Sequence, residues 1–212
     1  MSLLGIDIGT TGCKVVAFNN EGKTVAASSA EYPLLFPKPG WIELDAELVW
    51  RRITQCIRIV ASKTKRDPIK ALAVSSQGEA FIPVDEKGNA LHASIVTFDS
   101  RAESYVDFWK SNLGAQGIFK VTGMPLSAMA TLLKIQWLMD NKPVIARKAN
   151  KYLCFQDYFA MKIGLEPAID YSLAARTMAF DITSKSWSNL ILKKAGINPN
   201  ELAKPVTSGV VI

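Results

Sequence analysis

The stretch Leu3-Leu4-Gly5-Ile6-Asp7-Ile8-Gly9-Thr10-Thr11-Gly12-Cys13-Lys14-Val15-Val16-Ala17-Phe18 decides the fold of this chain. It holds two apolar runs, residues 3–8 and 14–18, and the tight turn between them is bounded by glycines. A third run typical of a strand follows at residues 24–28, after another turn signal. We therefore expect the chain to begin with an antiparallel meander of three strands.

The rest of the chain mixes helices with short strands. Asp45 is placed to cap a helix, because apolar residues recur at helical spacing over residues 49–60. Residues 71–74 are apolar on both faces, which predicts a buried strand of the parallel type. Helical periodicity dominates from Arg101 onward. The fold class is therefore α/β, with a mixed sheet and flanking helices.

The composition excludes several classes of protein. The chain has 212 residues, of which 49% are hydrophobic and 21% charged, so it is long enough for a folded core and unlike a disordered chain. Its three cysteines (Cys13, Cys56 and Cys154) are widely spaced, and His92 is the only histidine. These numbers exclude a disulfide scaffold, a zinc ribbon and a histidine-based catalytic triad.

We expect no membrane segment and a cytoplasmic location. Asp7 interrupts the first apolar run, so the N-terminus does not resemble a signal peptide. The longest stretch without a charge, residues 121–133, is shorter than the roughly 20 residues that span a bilayer. The net charge of +6 comes from scattered lysines and arginines, with the densest run at residues 63–66. Because scattered cations are typical of a solvated surface, we do not expect nucleic-acid binding.

The glycine-bounded turn is the first candidate site. Small residues let backbone N–H groups converge on an anion, and Thr10, Thr11 and Lys14 would add hydroxyl and ammonium groups. Asp7 lies within an apolar strand, where a carboxylate needs compensation, and a hydrated Mg²⁺ that carries nucleotide phosphates would supply it. The alternative is a plain hairpin in which Asp7 only caps neighbouring N–H groups. The turn matches neither the P-loop nor the G-x-G-x-x-G pattern.

Five segments resemble those of known families. The turn resembles the first phosphate loop of the actin-like ATPases, which also joins two antiparallel strands. Met129-Ala130-Thr131-Leu132-Leu133-Lys134-Ile135-Gln136-Trp137-Leu138-Met139-Asp140-Asn141 resembles the pattern that defines the FGGY carbohydrate kinases, and every constrained position is met. On physical grounds we expect Trp137 to lie in the core. Three further segments resemble the same family in the right order: Ala73-Val74-Ser75-Ser76-Gln77-Gly78-Glu79, Ile95-Val96-Thr97-Phe98-Asp99-Ser100-Arg101, and Asp170-Tyr171-Ser172-Leu173-Ala174-Ala175-Arg176-Thr177-Met178.

The resemblance to the FGGY kinases implies a fold, an activity and two cofactors. The fold would be ribonuclease H-like, as in actin-like ATPases, and the activity would be transfer of phosphate from ATP, with Mg²⁺, to a sugar or polyol. Asp7 would lie near the γ-phosphate and hold the metal through water. The groups around the phosphates would be Gly9, Thr10, Thr11 and Lys14.

The sugar site implied by the resemblance lies further along the chain. Gln77, Gly78 and Glu79 would face the sugar hydroxyls, because amides and carboxylates each make several hydrogen bonds. Asp99 and Arg101 would lie beside them, either as substrate residues or as a buried salt bridge. Both alternatives stay open on the sequence.

Departures from the family pattern leave the substrate undecided. Glycerol kinases carry Arg-Glu where this chain has Gly78-Glu79, and xylulose kinases carry Met-His there. Both carry Trp where this chain has Thr97. The sequence fits neither pocket, so a ketose, a polyol and an aldonate all remain candidates, and glycerol is disfavoured.

The resemblance covers only one lobe of a two-lobe kinase. We expect residues 1–212 to be the N-terminal, sugar-binding lobe, with the catalytic base, an Asp, beyond Ile212 in a C-terminal lobe that is absent from the chain. The isolated chain should therefore be inactive, although it should bind sugar or phosphate weakly. A homodimer is left open.

Three other functions compete with this hypothesis. A non-sugar actin-like ATPase module is disfavoured by the intact segment at residues 129–141. A ribonuclease H-like nuclease would need several carboxylates around Asp7, and only Asp99 is an obvious second. A non-catalytic interaction domain is favoured only if the chain ends at Ile212 in the cell.

Overall fold

The computed structural model describes all 212 residues, which divide into two compact units. The first unit comprises Met1–Leu35 and Leu44–Gln77, and the second comprises Phe36–Glu43 and Gly78–Ile212. None of the helices combines the length and the apolar character that a bilayer crossing requires.

The elements up to residue 77 are five strands and one helix. In chain order they are β1 (Ser2–Ile8), β2 (Gly12–Phe18), β3 (Thr24–Glu31), β4 (Glu43–Leu44), α1 (Ala46–Lys63) and β5 (Ile69–Ser76). Four of the strands form one sheet in the order β3-β2-β1-β5. The pairs β1–β2 and β2–β3 are antiparallel, and β5 is parallel to β1. The antiparallel meander followed by a parallel strand is therefore confirmed.

Helix α1 covers one face of this sheet. Its N-terminus is capped as the sequence indicates, because the Asp45 carboxylate accepts a hydrogen bond from the Leu48 N–H at 3.0 Å. Val49, Ile53 and Val60 point inward and are buried. On the strands, alternate residues such as Cys13, Val15 and Ala17 of β2 are buried, as expected for a sheet covered on one face, and α1 packs against β2 and β3.

Strand β5 differs from the prediction of a buried strand. It pairs with β1 as a parallel strand, but Ala71, Leu72 and Ala73 are all exposed, and Leu72 keeps 45% of its surface accessible. The physical reason is its place in the sheet. As the last strand in the order it has only one neighbour, and α1 packs against β2 and β3 at the other side of the sheet, so the side chains of β5 stay exposed.

The second unit carries the remaining elements. They are β6 (Ile82–Val84), β7 (Ser94–Ile95), α2 (Ser104–Asn112), α3 (Gly114–Thr122), α4 (Thr131–Asn141), α5 (Pro143–Lys148), β8 (Lys151–Leu153), α6 (Phe155–Lys162), β9 (Ala168–Asp170), α7 (Tyr171–Arg176), β10 (Phe180–Asp181), β11 (Ser186–Trp187), α8 (Asn189–Ala195), a 3-10 helix at Pro199–Glu201 and β12 (Lys204–Val206). Its small sheets pair β6 with β8, β9 with β12 and β10 with β11.

Helix α4 is the centre of the second unit. Its residues from Thr131 to Leu138 are buried on every side of the helix. Leu133 and Leu138 have no exposed surface and Trp137 keeps 6%, so the prediction that Trp137 lies in the core is confirmed. The same helix also buries Lys134 completely, which an amphipathic surface helix would not do.

Candidate active site

The glycine-bounded turn lies between β1 and β2 in the first unit and is tightly packed. A Cβ on Gly9 would stand 3.0 Å from the Gly12 carbonyl oxygen, and a Cβ on Gly12 would stand 3.0 Å from the Ala30 carbonyl oxygen. These contacts are to backbone, which cannot move aside easily. The two glycines are therefore required by close approach of the chain to itself, and the turn presents mainly backbone.

Asp7 and Lys14 face each other across this hairpin. They are directly paired residues of β1 and β2, and both are exposed. Because directly opposite residues of an antiparallel pair point to the same face of the sheet, the side chains of Asp7 and Lys14 leave the same face next to the turn. Thr11 is also exposed and Thr10 is partly so. The predicted phosphate-binding residues are thus gathered at one end of one hairpin.

The residues present fit a hydrated Mg²⁺ and not a protein-enclosed ion. No group of three or more His, Cys, Asp or Glu side chains comes together to hold a metal. Asp7 would be a lone carboxylate ligand, and Mg²⁺ commonly keeps several waters and takes the rest of its ligands from substrate phosphates. The exposure of Asp7 suits that arrangement.

Gln77 lies against the glycine-bounded turn. Its Nε2 donates to the Gly9 carbonyl oxygen at 3.1 Å, and its Oε1 accepts from the Thr10 hydroxyl at 3.3 Å. The sequence resemblance placed Gln77 among the sugar-binding residues. In the structure both ends of its amide contact the loop between β1 and β2.

A second cluster, in the second unit, is built around Glu79. This residue has φ of 63°, a left-handed conformation that is costly for a side chain of this kind, and it is buried. Its carboxylate pairs with the guanidinium of Arg176, which is about half exposed. The Thr131 hydroxyl donates to the Glu79 carbonyl oxygen at 2.9 Å, and the Thr97 hydroxyl donates to that of Gly78 at 2.8 Å. The strained turn is therefore held from several sides.

Arg176 is the functional candidate that sequence reasoning missed. It lies at the end of α7, in the segment at residues 170–178 that resembles the family, but nothing in its local sequence links it to Glu79. Its side chain also lies on Gly78, where a Cβ would be 2.8 Å from the Arg176 Nε. The only sequence signal for this contact was Gly78, whose missing side chain leaves room for that of Arg176.

Asp99 and Arg101 form a buried ion pair, and their side chains have no exposed surface. The Arg101 guanidinium contacts Asp99 at 2.7 Å and Glu43 at 2.8 Å. It also lies 4.1 Å from the centre of the Trp41 ring and 4.8 Å from that of the Trp137 ring. Of the two alternatives given for this pair, substrate residues or a buried salt bridge, the structure favours the salt bridge. We do not retain Asp99 and Arg101 among the residues that face the substrate.

Lys134 occupies an unusual position behind the Glu79 turn. Its ammonium group is fully buried and donates to the Val96 carbonyl oxygen at 2.9 Å. Burial lowers the pKa of Lys134 to about 8, against the opposing effect of the nearby carboxylates of Glu79 and Asp99. Lys134 therefore supports the segment that leads to Thr97 and is not accessible to a ligand.

Comparisons with known proteins agree on one family. The family model described as "FGGY family of carbohydrate kinases, N-terminal domain" matches residues 2–212. A gluconokinase from Bacillus subtilis is 35% identical over 207 residues, which is 96% of this chain and 40% of that protein. A glycerol kinase from Thermococcus onnurineus is 30% identical over 201 residues, with 92% and 41% covered.

Solved structures give the same result. The xylulose kinase from Lactobacillus acidophilus superimposes with a TM-score of 0.90 at 30% identity, covering 100% of this chain and 43% of that one. The gluconate kinase from the same organism has a TM-score of 0.88 at 29% identity, covering 97% and 42%. The chain thus spans about 40% of the length of the curated relatives that it matches.

Proposed function

This chain belongs to the FGGY family of carbohydrate kinases, and we propose that it is the N-terminal, sugar-binding lobe of an ATP-dependent kinase. The reaction would transfer phosphate to a hydroxyl group of a small sugar, polyol or sugar acid. The catalytic base and the adenosine-binding groups would come from a second lobe, because the matched relatives are more than twice as long. A cytoplasmic location, as expected from the sequence, would supply the ATP.

The observation that carries this proposal is the pairing of Asp7 with Lys14 beside the glycine turn. Phosphoryl transfer depends mainly on positioning and on groups that balance the charge of the phosphates. Lys14 and the N–H groups of residues 10 and 11 would bind phosphate oxygens, and Asp7 would orient the water shell of the metal. A bound Mg²⁺ would neutralise charge on the phosphate oxygens.

Glu79 and Arg176 would bind the acceptor. The Glu79 carboxylate would accept a sugar hydroxyl through the oxygen that Arg176 does not hold, and the guanidinium has five N–H donors, more than Glu79 alone can use. Arg176 is half exposed, so part of it faces outward. A planar guanidinium binds a carboxylate through two parallel hydrogen bonds, so the outward part of Arg176 would suit the carboxylate of a sugar acid.

We propose an aldonate such as gluconate as the acceptor. Two observations support this choice: the half-exposed Arg176, and the 35% identity to a gluconokinase. Gly78 makes the first of these possible, because it leaves room for the Arg176 side chain.

A ligand-dependent thermal shift tests the acceptor. Gluconate, xylulose and glycerol are each added to the chain at tens of millimolar, because stabilisation grows only as the logarithm of ligand over dissociation constant. We expect gluconate to raise the melting temperature most. Equal shifts for all three, or a larger shift for glycerol, would contradict the aldonate assignment.

An activity assay tests the assignment to a single lobe. The 212-residue chain is incubated with Mg·ATP and gluconate, and ADP release is followed. An Asp7→Asn variant purified in parallel reports contaminating kinase. We expect both preparations to give the same background rate. Turnover by the chain well above that of the variant would show that the chain is catalytically complete.

A further inference from the structure

The hydrogen bonds around the glycine loop run almost entirely to its carbonyl groups. The Ile8 carbonyl accepts from Gln77 N at 2.8 Å, and the Thr11 carbonyl accepts from Tyr32 N at 3.1 Å. The Gly12 carbonyl accepts from Gly9 N at 2.9 Å. By contrast, no hydrogen bond of the structure uses the N–H of Thr10 or Thr11. The protein holds the acceptors of the loop and leaves two donors open.

The Gly9 carbonyl is the most strongly held of these groups. It accepts from the Tyr32 hydroxyl at 2.7 Å and from Gln77 Nε2 at 3.1 Å, so both of its lone pairs are used. In a trans peptide the C=O and the following N–H point in opposite directions. The two donors that hold the Gly9 oxygen therefore turn the Thr10 N–H away from Tyr32 and Gln77.

Both side chains are suited to this role. Tyr32 is buried, and burial raises the pKa of its hydroxyl above the usual range, with Cys13 and Asp7 adding to the effect. The hydroxyl therefore remains a donor. The amide of Gln77 is oriented by the Thr10 hydroxyl, which donates to its Oε1 and leaves the NH₂ for Gly9.

We propose that Tyr32 and Gln77 are positioning residues of the phosphate loop. Together they fix the Gly9 carbonyl so that the N–H of Thr10, in the same peptide, is set to receive a phosphate oxygen before the ligand arrives. This assigns Gln77 to phosphate binding and not to the sugar. The inference rests on the proposed function, since it takes the loop to be the phosphate site.

Tyr32→Phe and Gln77→Glu test the inference. The first removes only the hydroxyl, and the second replaces the donor that faces Gly9 with an acceptor. Tyr152→Phe is the matched control, because it removes a buried hydroxyl in the other unit. Tripolyphosphate with Mg²⁺ is titrated calorimetrically as the phosphate probe, and gluconate binding is followed by thermal shift. Circular dichroism checks the fold.

The expected result separates the two ligands. Each variant should weaken tripolyphosphate binding about threefold to tenfold, the effect of losing one hydrogen bond, and leave the gluconate shift unchanged. The double variant should lose less than the product of the single losses, because both groups act on one carbonyl. Tyr152→Phe should bind like the unmodified chain.

Three results would overturn the inference. The first is unchanged tripolyphosphate affinity in both folded variants. The second is an equal loss of gluconate and tripolyphosphate binding in Gln77→Glu, which would return Gln77 to the sugar site. The third is absence of tripolyphosphate binding by the unmodified chain, which would also remove the phosphate site from the proposed function; the first two leave that site intact.

Should the variants fail to fold, an NMR titration of the unmodified chain decides the matter. We expect the amide signals of Thr10 and Thr11 to shift most when tripolyphosphate is added, with Gly9 and Gln77 nearly unmoved because they are already held. The largest shifts at other amides would contradict the inference.

Discussion

The side chain of Arg176 lies directly against Gly78, so that a methyl group on this glycine would stand 2.8 Å from the Arg176 Nε and 3.0 Å from its Cδ. The next residue, Glu79, is the partner of the same guanidinium. Position 78 and Arg176 therefore compete for one volume. Because Gly78 has no side chain, the guanidinium of Arg176, which lies on α7, can reach the Glu79 carboxylate.

Gly78→Ala should weaken acceptor binding. The added methyl group must push Arg176 away by several tenths of an ångström, which disturbs its pairing with Glu79. We expect about a tenfold loss of gluconate affinity, the size of a strong charge-assisted contact, in a thermal-shift titration. Gly117→Ala is the control, because its Cβ would make only an ordinary contact with Leu113. Unchanged gluconate affinity in Gly78→Ala would show that Arg176 does not take part.

Asp99→Ala should destabilise the second unit strongly. It leaves the Arg101 guanidinium buried with only Glu43 as a partner, and breaking a buried pair in this way costs about 3–5 kcal/mol. Urea unfolding measures the loss. Glu21→Ala, which breaks the exposed pair with Lys23, should leave the midpoint unchanged within error. If both variants had the same midpoint, Asp99 would be free to act on a substrate.

Asp157 should make stability depend on pH. It is fully buried at the start of α6; its Oδ2 accepts from Cys154 N at 2.9 Å, and its Oδ1 has no partner. Burial raises the pKa of Asp157 from 3.8 to about 8, against the opposing effect of hydrogen bonds from the backbone N–H groups of Asp157 and Cys154. The folded chain therefore keeps a proton that the unfolded chain releases.

The sign of this dependence follows from linkage. Between about pH 4 and pH 8 the unfolded state binds fewer protons at this site, so stability falls as pH rises and levels off above the folded pKa. The slope can approach about 1.4 kcal/mol per pH unit. Asp157→Asn should flatten the slope when melting temperatures are measured from pH 5 to about pH 8.5. A slope that persists in the variant would assign the dependence to another group.

The local parts of the fold were predictable from the sequence, and the long-range contacts were not. The meander follows from glycine-bounded turns between apolar runs. The N-cap of α1 is equally local, because the Asp45 carboxylate accepts a hydrogen bond from Leu48, three residues further on. The burial of β5 was predicted wrongly, because it depends on which strand comes next in the sheet and not on the composition of the strand itself.

The candidate site shows the same division. Asp7, Gly9, Thr10, Thr11 and Lys14 are close in sequence, and the hairpin brings them together. Arg176 reaches Glu79 from 97 residues away, and no periodicity or motif spacing encodes that contact. Likewise, Asp99 and Arg101 are neighbours in sequence, but Glu43 and the two tryptophan rings that contact Arg101 come from distant segments.

Strand β5 is the last strand of its sheet, and we expect its unpaired edge to make the association state of this chain depend on concentration. Natural edge strands discourage further pairing with charges, prolines or bulges. Over its eight residues β5 offers Lys70 and a register shift at that residue, since Ser2 pairs with Ile69 and Leu3 with Ala71. Light scattering should therefore detect edge-to-edge dimers as the chain is concentrated, and Ala73→Lys should shift the profile toward monomer. A monomer at every concentration would mean that these features of β5 are sufficient to prevent pairing. If dimers form, the solution behaviour of the molecule follows from one edge of one strand more than from its net charge of +6.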